Sequence, residues 1–305
     1  TWWLFYHALK AIQSRKKVLL ICCGDMSEDQ TLRRIGQMLS ERPVYEHEVG
    51  KEILMPVMDC QKNQENTCGS IHRSCQKLLL NEVDEKPEWF DAPKGYRSCT
   101  VCKGKRTFPE ETWFKPVVPK HILDASIIKK KINSLKKRSR GKSFRVEIHP
   151  NTTLTVSGID RMLRTYKREG FIPDVVIIDY ADILAQEGTT KDFRHGENEK
   201  WKALRRLSQV HKCCLVTATQ ADAASYNAKN LTLTNFSEDK RKFAHTTAFF
   251  AINEDEEDRS AKCQRIGTLL LREGDFNIHK QVRVLQCRAL GRVYLDSYWT
   301  MCYDK

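Results

Sequence analysis

The chain has 305 residues, 40% of them hydrophobic and 30% charged, enough for one large α/β domain with an insertion or for two ordinary domains. No apolar run approaches the roughly eighteen residues of a membrane span, so a soluble protein without membrane partners is expected. A net charge of +13 points to a polyanionic partner such as nucleic acid or nucleotide, although an excess of Lys also serves solubility.

Residues 2–14 are apolar nearly all round and read as a buried helix, and KKVLLICC at 16–23 reads as a buried strand. Ser27 with Gln30 forms a capping box ahead of TLRRIGQML, where a second helix starts. Residues 50–120 change character: Cys60, Cys68, Cys75, Cys99 and Cys102 lie among prolines, glycines and asparagines with little periodicity, as in a loop-rich insert. The stretch 129–145 carries nine basic residues and no acidic one. A strand over 144–149 and a helix over 157–168 follow. Next come the β-branched run PDVVIIDYADIL at 173–184, a polar loop, a helix near 197–211 and a strand at 213–219. This alternation predicts a mostly parallel sheet with helices on its faces. After about residue 246 short strands dominate, read as an antiparallel edge closing that sheet. Cys22, Cys23, Cys213 and Cys214 sit in apolar strands as small core residues, which argues for a reducing compartment, the cytoplasm. The opening Thr1-Trp2-Trp3 lacks a signal-peptide layout and reads as the start of a fragment.

The sharpest chemical element is Val175-Val176-Ile177-Ile178-Asp179-Tyr180, an apolar strand delivering a carboxylate at its C-terminal end. Ligands bind at that end in open α/β sheets, and nucleotide motors use such an Asp to hold the water shell of Mg²⁺. Alone, a buried strand ending in Asp at a turn is common. Two further strands strengthen it: one ends in Thr219-Gln220, an amide able to sense a γ-phosphate, and one in Gly24-Asp25-Met26-Ser27, a second carboxylate.

Three strands ending in polar groups in this order resemble the superfamily-4, DnaB-like replicative helicases of the RecA class, closest to those carried by bacteriophages. The residues that carry the resemblance are Asp25-Met26-Ser27, Ile178-Asp179-Tyr180, Gln220, Asn235-Phe236-Ser237-Glu238-Asp239-Lys240-Arg241-Lys242 and Leu270-Leu271-Arg272-Glu273-Gly274. The resemblance implies a RecA-like P-loop NTPase core using ATP and Mg²⁺. It makes Asp25 the base for the attacking water, one methylene shorter than the family's Glu. Arg272 becomes a finger reaching a neighbour's γ-phosphate, while the companion Lys of the family pattern falls on Leu270. The loops 185–196 and 221–236 would line a channel, with Lys191, Arg194, His195 and Lys229 meeting single-stranded DNA; singly these are ordinary solvated charges. The partners implied are single-stranded and forked DNA, a homo-oligomeric ring (a hexamer), and a primase or helicase loader. A phage-encoded protein would work in the bacterial host cytoplasm.

The phosphate loop GxxxxGK[ST] does not occur in this sequence, and GKS at 141–143 lacks the preceding Gly spacing and the following apolar helix. Because a helix like 2–14 follows that loop in the family, Thr1 is expected to be its terminal Thr, the Mg²⁺ ligand. In the insert, Cys60, Cys68, Cys99 and Cys102 form two pairs expected to bind Zn²⁺ as a tetrahedral Cys₄ site, with Cys75 in reserve and a His72-containing set as the variant. The expected organisation is 1–49 first part of the core, 50–120 zinc-binding insert, 121–305 second part of the core. The function expected is an ATP-dependent DNA helicase motor that translocates on single-stranded DNA during replication. The alternatives are a non-catalytic RecA-fold DNA-binding or helicase-loading protein, and a RecA/KaiC-like recombination ATPase.

Overall fold

The computed structural model describes residues 1–74, 95–105, 107–138, 143–187, 193–222, 225, 228–236 and 240–301. Four parallel strands form its centre: β1 (Val18–Cys23), β4 (Phe144–His149), β5 (Val175–Asp179) and β6 (Cys214–Thr217), in the order β4-β1-β5-β6. β1 is central and buried along its whole length, so its residues have no polar face to present. Their alternation sorts two cores. Leu19, Ile21 and Cys23 pack with Ile159 and Leu163 of α4 (Val156–Arg168) and with Trp201, Leu204 and Leu207 of α5 (Phe193–His211). Val18, Leu20 and Cys22 face Leu4, Phe5 and Ile12 of α1 (Trp2–Gln13), Ile35 of α2 (Glu28–Ser40) and Leu135 of α3 (Ala125–Arg138). Helices therefore cover both sheet faces, as the alternating pattern predicts.

The caps follow the local sequence. Gln30 N–H donates to Ser27 Oγ at 3.2 Å and Ser27 N–H to Gln30 Oε1 at 2.9 Å, the expected capping box of α2. Thr155 caps α4 through Gly158 N–H at 3.1 Å. Gly36 of α2 allows a close helix crossing: a Cβ there would stand 2.6 Å from Ile128 Cγ1 of α3.

Two expectations are corrected. The C-terminal strands β7 (Ala248–Asn253), β8 (Cys263–Leu271), β9 (Lys280–Cys287) and β10 (Arg292–Met301) do not close the parallel sheet; they form their own antiparallel sheet, β10-β9-β8-β7. β6 offers only four residues, and β7 takes its register from β8 instead. The stretch 50–120 is also more than loop. β2 (Ile53–Cys60) and β3 (Glu110–Val117) pair antiparallel along their full lengths, Ile53 opposite Val117 and Cys60 opposite Glu110. Ile53, Met55 and Val117 pack on Cys287, Leu290 and Leu295, which fixes this ribbon to the C-terminal sheet by burial of apolar surface.

Candidate functional site

β1, β5 and β6 run parallel, so their C-terminal ends deliver side chains to one edge. Asp179 ends β5 with its side chain 2% exposed. Thr1, the N-cap of α1, donates its hydroxyl to Asp179 Oδ1 at 3.3 Å, and the Thr1 amine lies 3.7 Å from the same oxygen. Burial pushes the Asp179 carboxyl above its ordinary value, opposed by the Thr1 amine and hydroxyl, then raised by Asp25 and lowered by Arg34. The Asp179–Tyr180 peptide is cis.

Asp25 follows β1 through Gly24, at φ +83°, whose N–H bonds His149 O at 2.8 Å. A Cβ on Gly24 would stand 2.8 Å from Asn151 Cα, so glycine is required by both the backbone conformation and the close approach. Asp25 is exposed. Gln220 is exposed too, and its amide donates to Tyr180 OH at 3.0 Å. Burial raises the Tyr180 phenol, and the negative charges of Asp25, Asp182 and Asp179 raise it further. Thr1, Asp25, Asp179 and Gln220 thus share one edge, and a Thr hydroxyl beside a buried Asp carboxylate is a hard oxygen pair suited to a hydrated Mg²⁺.

Other expected site residues fare differently. The Arg272 guanidinium is engaged within its own chain: it donates to Thr246 O at 2.7 Å, Ala244 O at 2.9 Å and Phe243 O at 3.3 Å. It caps the short 3₁₀ helix Lys240–His245, a use that the Arg-Glu-Gly pattern does not reveal. Lys229 is exposed. Lys191 lies outside the described residues, and Arg194 and His195 fall in the first turn of α5, where only the backbone is described.

Sequence reasoning missed Asp182 and Lys242. Asp182 Oδ2 accepts from Thr219 Oγ1 at 2.8 Å and from Gln220 N–H at 3.1 Å, so it fixes the loop that carries the amide. Lys242, 6% exposed, donates to Thr219 Oγ1 at 2.8 Å. The Asp-Tyr-Ala-Asp spacing after β5 was the available signal for Asp182; nothing local marks Lys242.

The expected Cys₄ set is not assembled: among the described residues no group of three or more His, Cys, Asp and Glu is placed to hold a metal ion. Cys75 lies outside the described residues, and His72 is exposed. The buried carboxylate of Asp59 organises this end of the ribbon instead. Its Oδ1 accepts from Cys60 N–H at 2.8 Å, Cys99 N–H at 2.7 Å and Asn63 Nδ2 at 3.1 Å. Its Oδ2 accepts from Tyr96 OH at 2.5 Å and Gln64 Nε2 at 3.1 Å. Five donors saturate a carboxylate withdrawn from water, which removes the need for a metal to hold these segments together.

Comparison with known proteins supplies the deciding observation for the fold. No family model and no curated protein matches the sequence. Among solved structures, the ATPase domain of one DnaB-like replicative helicase superposes with a TM-score of 0.55 at 11% identity, over 96% of this chain and 81% of that one. The fold is that of a DnaB-like helicase ATPase domain. A second structure, "The Structure Of A DnaB-Like Replicative Helicase And Its Interactions With Primase", superposes with a TM-score of 0.54 at 11% identity, over 95% of this chain and 56% of that one. The chain therefore spans just over half the length of that helicase. At this identity the likeness concerns the RecA-like arrangement, the parallel sheet with its antiparallel C-terminal strands, and assigns no residue its role.

Proposed function

We propose that this chain is the motor core of an ATP-dependent DNA helicase that translocates on single-stranded DNA and unwinds duplex during replication. The observation that carries the proposal is the Thr1 hydroxyl 3.3 Å from the buried Asp179 carboxylate, at the sheet edge that also holds Asp25 and Gln220. In this reading Thr1 and Asp179 hold Mg²⁺, which supplies charge neutralisation for the phosphates of ATP. Asp25 orients and deprotonates the attacking water, and Gln220, steadied by Asp182 and Tyr180, senses the γ-phosphate. Arg272 acts on a neighbour's nucleotide after releasing its carbonyls, in a homo-oligomeric ring. Lys229, with Lys191, Arg194 and His195, follows the DNA backbone through salt-dependent phosphate contacts. A primase or a loader is the partner proposed for the ring, and the division 1–49, 50–120 and 121–305 is its proposed organisation. Zinc in the insert is a separate proposal. Two features support it: Cys60 accepts backbone N–H bonds from Asn63 and Lys62, and N–H bonds from Ser74 and Val101 help to hold the Cys99 thiol below its ordinary value against burial.

The Gly and Lys of a phosphate loop do not occur in this sequence, so ATP binding is proposed for a chain in which they precede Thr1. The test is DNA-stimulated ATP hydrolysis by such a chain, with and without Asp179→Ala. Stimulated turnover abolished by the substitution is expected. The missing loop favours a second reading, a non-catalytic RecA-fold DNA-binding protein, and absence of any turnover in the loop-bearing chain would select it.

A further inference from the structure

Between β6 and β7, the segment around Lys229 is held from below by a buried cluster of charges on the C-terminal sheet. Arg265 of β8, 5% exposed, is its centre. Its Nε donates to Asp258 Oδ2 at 2.7 Å and its Nη2 to Asp255 Oδ2 at 3.0 Å. The rest of the fork points at the segment: Nη2 donates to Lys229 O at 2.9 Å and Nη1 to Asn230 Oδ1 at 2.7 Å. Gln281 Nε2 reaches the same Asn230 oxygen at 3.1 Å, and Leu231 N–H donates to Asn253 Oδ1 at 2.9 Å. Asp258, fully buried, is shared with Arg283 at 2.8 Å, so two guanidinium groups face two carboxylates and the cluster is close to neutral. Three consecutive residues, 229 to 231, are thus tied at backbone or side chain while the Lys229 side chain stays exposed.

We propose that Arg265 and Asn230 form a latch that fixes Lys229 on the channel-facing loop, so that it meets a nucleic-acid phosphate without first paying the entropy of ordering that loop. The inference rests on the reading of 221–236 as a DNA-contacting loop. Arg265 and Asn230 are positioning residues; neither touches DNA. A planar guanidinium suits this task because one fork bonds two carboxylates on the sheet side and two acceptors on the loop side, which an ammonium cannot do at once.

The experiment measures affinity of the chain for a fluorescent oligodeoxythymidylate by anisotropy, across a salt series, for the parent, Lys229→Ala, Asn230→Ala and the double variant. Lys229→Ala is expected to weaken binding about threefold or more and to lower the salt slope by about one, the signature of one lost phosphate contact. Asn230→Ala removes the loop-side acceptor while leaving the buried ion pairs intact, so it is expected to weaken binding by a similar factor. The double variant should bind no more weakly than Lys229→Ala, because both changes act through one contact. Arg265→Lys, which keeps the charge beside Asp258, repeats the test from the sheet side. Trypsin cleavage after Lys229 should quicken in both latch variants. If Lys229→Ala leaves binding unchanged, the DNA reading of the loop fails, and the latch proposal with it. A loss in Lys229→Ala with none in Asn230→Ala and Arg265→Lys overturns the latch alone, and so do additive losses in the double variant.

Discussion

Replacing Asp258 by Asn is the most informative perturbation of this fold. The carboxylate is fully buried and binds Arg265 Nε at 2.7 Å and Arg283 Nη2 at 2.8 Å, with Asp255 N–H at 3.2 Å as a further donor. Asn keeps the shape, loses the charge and turns one acceptor oxygen into an NH₂ donor facing a guanidinium. Breaking a buried pair by removing one partner costs about 3–5 kcal/mol. Arg265 keeps Asp255, which is 30% exposed, and the Arg283 side chain is 22% exposed, so the lower end, about 3 kcal/mol, is expected. Urea unfolding followed by Trp fluorescence and by circular dichroism reads it, since Trp3 Nε1 bonds Gln264, the neighbour of Arg265. The pH dependence has a defined sign. Burial raises the Asp258 carboxyl, but hydrogen bonds from Arg265 and Arg283 outweigh it, and the group sits below its ordinary value. Its contribution is therefore present above the unfolded pKa of about 3.9 and is lost as pH falls through the depressed folded value. The gap between parent and Asp258→Asn should be constant from neutral pH to about pH 5 and shrink below pH 4. A loss under about 1 kcal/mol, the range of exposed pairs, or a gap that persists undiminished into acid, would refute the reasoning.

Three further outcomes are expected. Asp59→Ala strands five donors and should destabilise the chain by at least about 3 kcal/mol in urea, with loss of protection of the Cys60 and Cys99 amides in hydrogen exchange. Gly24→Ala meets a left-handed backbone and the Asn151 main chain, and should cost about 2 kcal/mol or more by the same assay. Because burial raises the Asp179 carboxyl, protons compete for it at higher pH than for an ordinary carboxylate; Mn²⁺ affinity, measured by electron paramagnetic resonance, should fall on acidification while Asp179 is progressively protonated, and Asp179→Asn should remove that dependence.

What was legible in the sequence was local or periodic. VVIID announces a buried parallel strand because neither face meets water, and Ser27 with Gln30 announces a helix start because the capping box closes within four residues. The same reasoning failed where partners are distant. Ile53–Cys60 contains Pro56 and no regular alternation, and its partner strand begins only at Glu110, so the ribbon could not be read from either half. Asp59 looked like a spacer before Cys60, yet its donors come from residues 60, 63, 64, 96 and 99. The cysteines drew attention by their chemistry while the carboxylate between them did the pinning. At the sheet edge the reading located Asp25, Asp179 and Gln220 from strand ends, because strand direction alone brings them together. Asp182 and Lys242 act through Thr219, a contact between residues that no local pattern joins.

That last contact bears on how the proposed catalytic residues can be tested. Arg272 holds the carbonyls of Phe243, Ala244 and Thr246, and Lys242, next in that segment, holds Thr219, the neighbour of Gln220. The aromatic trio Phe236, Phe243 and Phe249 packs edge to face at 5.0 to 6.0 Å and makes the segment a packed unit rather than a loose strap. Removing the Arg272 guanidinium therefore frees three carbonyls and disturbs the support of Gln220 in the same subunit. A loss of hydrolysis in Arg272→Ala is consequently no evidence for action across a subunit boundary. The separating comparison is Lys242→Met, which breaks the same support without touching Arg272: if both variants lose activity equally in isolated subunits, the guanidinium is a cap; if Arg272→Ala loses much more, and only on assembly, it is a finger.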